Sequence, residues 1–85
     1  MSLALHLAPD ALAHLRRLNA GLQEEVLDEL ERLAAQPELI PSPLPQSGTV
    51  HTFAREVAGS LHVIALILEW SKGGSRLAVL GIRLF

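Results

Sequence analysis

The chain has 85 residues, 49% hydrophobic and 19% charged, with no cysteine and with seven basic residues against nine acidic ones for a net charge of −2. At a little over half of the ~150 residues usual for a domain, residues 1–85 make one small domain, and the hydrophobic content excludes a disordered chain. No disulfide or thiolate zinc site can staple so small a core, which points to the cytoplasm and to a partner or a second copy as a further source of stability; the slightly acidic balance excludes a global basic field for nucleic acid.

Residues 2–8 alternate, with Leu3, Leu5 and Leu7 on one side and Ala4, His6 and Ala8 on the other, the period of a short strand. The same N-terminus lacks the basic start and long apolar stretch of a signal peptide. Pro9 ends the strand and suits the first turn of a helix, where Asp10 meets the positive end of the helix dipole. Leu12, Leu15 and Leu18 repeat at helical spacing until Asn19, Ala20 and Gly21 break the run.

Leu22 to Gln36 reads as a second, longer helix. Leu22, Val26, Leu27, Leu30, Leu33 and Ala34 form its apolar stripe, and the acidic run Glu24, Glu25, Asp28, Glu29 and Glu31 reads as a solvated face. The short break makes the two helices an antiparallel hairpin. From Pro37 to Gly48 the prolines at 37, 41, 43 and 45 exclude a helix or a central strand and leave a connector.

Thr49 to Val57, Leu61 to Trp70 and Arg76 to Phe85 then read as strands, separated by Ala58-Gly59-Ser60 and by a hairpin turn at Gly73-Gly74. The longest apolar run, Leu61 to Leu68, is broken by His62 and falls far short of the ~20 residues that span a bilayer, so no membrane is expected. The expected fold class is α+β: an N-terminal strand, an antiparallel helix hairpin and a three-stranded antiparallel meander, with the helices packed on one face of the sheet.

With turns centred on Gly59-Ser60 and Gly73-Gly74, one sheet face carries His51, Phe53, Arg55, His62, Ile64, Leu66, Leu68, Trp70, Leu77, Val79 and Arg83. The other carries Ala54, Val63, Ala65, Ile67, Ala78, Leu80 and Ile82. The smaller, aliphatic face is expected to receive the helices. That leaves Phe53, Leu66, Leu68, Trp70 and Val79 as an uncovered apolar patch for a partner. At one end of the same face Arg55 and Arg83 flank Ile64, roughly 10 Å apart at ~4.8 Å per strand and close enough to share a phosphate, while His62 and His51 lie nearby. A one-residue slip would separate the two arginines.

The element order and several local stretches resemble the small bacterial toxins of the RelE/ParE superfamily. The resemblance rests on Leu33-Ala34-Ala35-Gln36-Pro37, on the stretch from Phe53-Ala54-Arg55 through Gly59-Ser60-Leu61-His62 to Ile64, and on the closing Val79-Leu80-Gly81-Ile82-Arg83. The middle stretch of such toxins commonly reads aromatic-Arg-x-Arg-x-Gly-x-Tyr-Arg, and the last strand ends apolar-x-His-Arg. Aligned on Gly59, these patterns place arginines on Arg55 and Arg83. They depart at Val57, Leu61, His62 and Ile82, and the chain stops at Phe85 without the C-terminal tyrosine of ribosome-dependent nucleases.

The resemblance implies the toxin of a type II toxin–antitoxin pair, neutralised by an antitoxin protein. Its activity would be metal-independent, cofactor-free cleavage of mRNA on the ribosome. Cleavage through the RNA's own 2′-hydroxyl needs a proton-transfer group and positive charge at the phosphorane. Arg55 and Arg83 would supply the charge, His62 the proton transfer, and His51 a further RNA contact. These side chains equally read as solvated residues at strand ends. The lost arginines and tyrosine favour the alternative, a non-catalytic binding module on the same fold, either a gyrase-directed toxin or an orphan interaction domain. A homodimer suits both readings. His6 and His14 read as surface or rim residues, and no carboxylate stands at ligand spacing from a histidine for a metal site.

Overall fold

The computed structural model describes residues 3–40, 49–70 and 75–85. The elements run β1 (Ala4–Leu7), α1 (Pro9–Arg17), α2 (Ala20–Ala35), a 3₁₀ turn at Pro37–Leu39, β2 (Thr49–Val57), β3 (Ser60–Glu69) and β4 (Arg76–Leu84). The order of elements and the α+β class are those expected from the sequence. The Lys72-Gly73-Gly74 turn and most of the proline-rich connector lie outside the described residues.

The break between the helices is shorter than the Asn19-Ala20-Gly21 run suggests. Asn19 is the N-cap of α2: its side-chain oxygen accepts from the Leu22 N–H at 2.9 Å, so the helix starts at Ala20. Pro37 ends α2 but opens a 3₁₀ turn, a use its fixed φ allows.

The four strands form one sheet in the order β1-β4-β3-β2. β1 pairs in parallel with Arg76–Val79 of β4, and the other neighbours are antiparallel. Beyond the end of β1, α1 follows the same edge of β4. There His14 Nδ1 accepts from the Ile82 N–H at 3.3 Å, so the helix supplies a backbone partner where the strand has run out.

Two registers differ from expectation. The β2–β3 turn is centred on Ala58-Gly59, with Val57 opposite Ser60, a slip of two residues that leaves the faces unchanged. Both turn residues have positive φ, 52° at Ala58 and 82° at Gly59, as a two-residue hairpin requires. Ala58 is thus a side-chain-bearing residue held in the left-handed region. Ala58→Gly is expected to raise the Tm by roughly 3–6 °C, and Gly59→Ala to lower it by a comparable amount, both readable by thermal unfolding.

The second difference reverses part of a strand. Adjacent Ile67 and Leu68 face Gly81 and Val79, which makes Leu80 an extra residue in β4. Past this bulge Ile82 pairs with Leu66 and Arg83 with Ala65, each one residue away from the pairing a regular hairpin would give. Arg83 and Ile82 exchange faces as a result.

The helices cover the opposite face from the one expected. Leu66, Leu68 and Val79 are fully buried with Ile64 and Leu77, in one cluster with Ala11 and Leu15 of α1 and with Leu22, Val26, Leu30 and Leu33 of α2. Phe53 and Trp70 pack against this cluster and are partly buried. The patch of Phe53, Leu66, Leu68, Trp70 and Val79 is therefore the core and not an open partner surface. The physical reason is area. At ~25 cal/mol per Å², burying Phe53, Ile64, Leu66, Leu68, Trp70, Leu77 and Val79 gains more than burying a face on which Ala54, Ala65 and Ala78 stand among Val63, Ile67 and Leu80, which outweighs the closer approach that small residues permit.

Candidate functional site

Leu22, Val26 and Leu33 of α2 follow a four- and three-residue spacing whose missing member is position 29. Glu29 occupies it and is only 1% exposed. A buried carboxylate is tolerated only when charged or hydrogen-bonding groups surround it. Here Arg32, one turn along the same helix, donates Nε to Oε1 at 2.8 Å and Nη2 to Oε2 at 3.1 Å. From β2, His51 Nε2 meets Oε2 at 2.7 Å and Arg55 Nη2 donates to Oε1 at 3.2 Å.

His51 and Arg55 are two of the residues from which an RNA site was expected, and alternation along β2 puts both on the helix-covered face with Phe53 between them. The Phe53 ring stacks on His51 with centroids 5.9 Å apart, and the Arg55 guanidinium carbon lies 5.0 Å from the same ring's centroid. Arg55 Nε also pairs with Glu25 Oε2 at 3.3 Å.

The Arg32 hydrogen bonds, reinforced by His51 and opposed by burial, hold the Glu29 carboxyl at about 2 against an ordinary value of 4.5. The carboxylate is therefore ionised and His51 Nε2–H is the donor in their contact. A depressed acid contributes stability that is complete above its unfolded value and is lost as the pH falls through its folded value. For Glu29 that contribution is on the order of 3 kcal/mol, present above pH ~4.5 and lost toward pH 2. In urea titrations the stability gap between wild type and Glu29→Gln should narrow steadily from pH 5 to pH 2.5; a gap of constant size over that range would refute the assignment.

Comparison with solved structures finds an arginine-to-alanine double mutant of the E. coli toxin RelE in the free state, at 15% identity, covering 96% of this chain and 82% of that one with a TM-score of 0.66. The fold is RelE-like. No family model matches the chain, and no curated protein matches it. At this identity the likeness is one of fold.

On this RelE-like fold the expected site residues divide. Arg55 and His62 face each other directly across β2 and β3, with Cβ atoms ~5 Å apart, on the helix-covered side. Arg83, one residue past its expected register, is exposed on the outer face opposite Ala65. The expected convergence of Arg55 and Arg83 on one phosphate does not occur, because the Leu80 bulge intervenes. Among the described residues Arg83 has no ion-pair partner.

The outer face also carries several exposed apolar side chains. Val50, Leu61, Val63, Leu80 and Phe85 are between 38% and 78% exposed, and the Phe85 N–H bonds the Val63 carbonyl at 2.9 Å, which sets Phe85 beside Val63. Among the described residues no cluster of acidic, histidine or cysteine side chains suits a metal ion, and no helix is long and apolar enough to cross a membrane.

Glu29 is the residue that sequence reasoning missed. Its position on the apolar stripe, in register with Val26 and Leu33, was the available signal, hidden by the acidic neighbours that made the whole run look solvated.

Proposed function

We propose that this chain is the toxin component of a toxin–antitoxin pair and acts by binding a macromolecular target, without cutting RNA. The RelE-like fold over nearly the whole chain supports the toxin part of the reading. The observation that carries the binding part is the disposition of the arginines. Arg55 is engaged by Glu25 and Glu29 on the helix-covered face, and Arg83 points from the other, so these two arginines do not make a pair of free cations that could hold one phosphorane. The surface available to an antitoxin is the outer face, which carries Val50, Leu61, Val63, Phe85 and Arg83.

Inducing the chain in bacteria while mapping mRNA 5′ ends tests the proposal. Growth arrest without new codon-dependent ends, relieved by co-expression of a cognate antitoxin, is the expected result. Reproducible codon-dependent cuts that disappear in Arg55→Ala or His62→Ala would overturn it in favour of the nuclease reading, which the direct Arg55–His62 pairing supports.

A further inference from the structure

Four contacts from three side chains converge on the two oxygens of Glu29, at 2.7 to 3.2 Å. The Arg32 fork fills two of the roughly four acceptor positions of the carboxylate. His51 and Arg55 come from a separate element, β2, and aim their terminal nitrogens at the same pair of oxygens, with Phe53 stacked against both. Two guanidinium groups and an imidazole around coplanar oxygens are the chemistry that binds an oxyanion such as phosphate. The carboxylate is buried, yet Arg32 and Arg55 keep 50% and 35% of their side-chain surface in solvent, so the cradle is reached from outside once its occupant is gone.

We infer that the junction of α2 and β2 is a phosphate-type oxyanion site filled by the chain's own Glu29, an autoinhibitory contact that withholds Arg32, His51 and Arg55 from external phosphate. Should it fail, the binding reading above is untouched, since that rests on the pairing of Arg55 with Glu25 and Glu29 and on its separation from Arg83, which hold whether or not the cradle takes phosphate.

The test compares two variants that lose the same charge. Glu29→Ala vacates the cradle, whereas Glu29→Gln leaves it filled. Inorganic phosphate is titrated against chloride at matched ionic strength while the Tm is followed. Glu29→Ala should be stabilised saturably, by roughly 5–10 °C at ten times the half-saturating concentration, with wild type and Glu29→Gln unmoved. If Glu29→Ala is unfolded in chloride, phosphate must restore its native far-UV dichroism. Equal responses of the two variants, a response that does not saturate, or a Glu29→Ala chain still unfolded in phosphate overturns the inference. Anisotropy of a labelled single-stranded RNA ten-mer then separates the sources: competition between RNA and phosphate assigns the cradle to a backbone phosphate, and phosphate binding alone assigns it to the free anion.

Discussion

Glu29→Ala in chloride buffer is expected to lose about 3–5 kcal/mol of unfolding free energy, a large part of what an 85-residue domain has. The loss does not measure the worth of the ion pairs. It arises because His51, 14% exposed at its side chain, is left without the acceptor that made its burial tolerable, while the partly exposed guanidinium groups beside it lose a shared carboxylate. The ranking among partners follows from exposure. His51→Ala should cost more than Arg55→Ala, whose guanidinium is a third exposed and for which about 1 kcal/mol is expected. Chemical denaturation of the three variants checks the order, and an Arg55→Ala loss as large as that of Glu29→Ala would show that the carboxylate is not the hub. A Glu29/His51 double-mutant cycle should give a coupling of at least 1 kcal/mol, since the two share a 2.7 Å contact.

The succession of elements was legible because it depends on local signals: alternation in β1, the proline at the head of α1, the leucine spacing of both helices, and the glycine-marked turn after β2. Three features were not legible, and each is non-local. The Leu80 bulge adds one residue to β4, and nothing in Val79-Leu80-Gly81 distinguishes a bulged strand from a regular one. Which face the helices take depends on the summed area of eight or more side chains across three strands. Glu29 can be buried because two residues more than twenty positions away on β2 complete the set of donors that Arg32 begins. The arginine pair failed as a site for the first of these reasons, and the partner patch for the second.

The face assignment has a sharp consequence. Leu68→Ala and Leu66→Ala remove side chains that are 0% exposed in the middle of β3, and each should cost about 2–5 kcal/mol, with the higher end expected if the cavity beneath α2 cannot collapse. Val63→Ala lies on the same strand, three positions from Leu66, but projects from the outer face and should change stability by less than about 0.5 kcal/mol. Were the helices on the small-residue face, the two effects would trade places, so urea unfolding of the pair decides between the arrangements. The outer residue should show itself elsewhere. Val63→Lys leaves the fold intact and puts a charge amid Leu61, Phe85 and Ala54, where any partner of this face must sit. Loss of antitoxin rescue in the growth assay with an unchanged Tm is the expected result, and rescue as complete as that of wild type would move the partner to another surface.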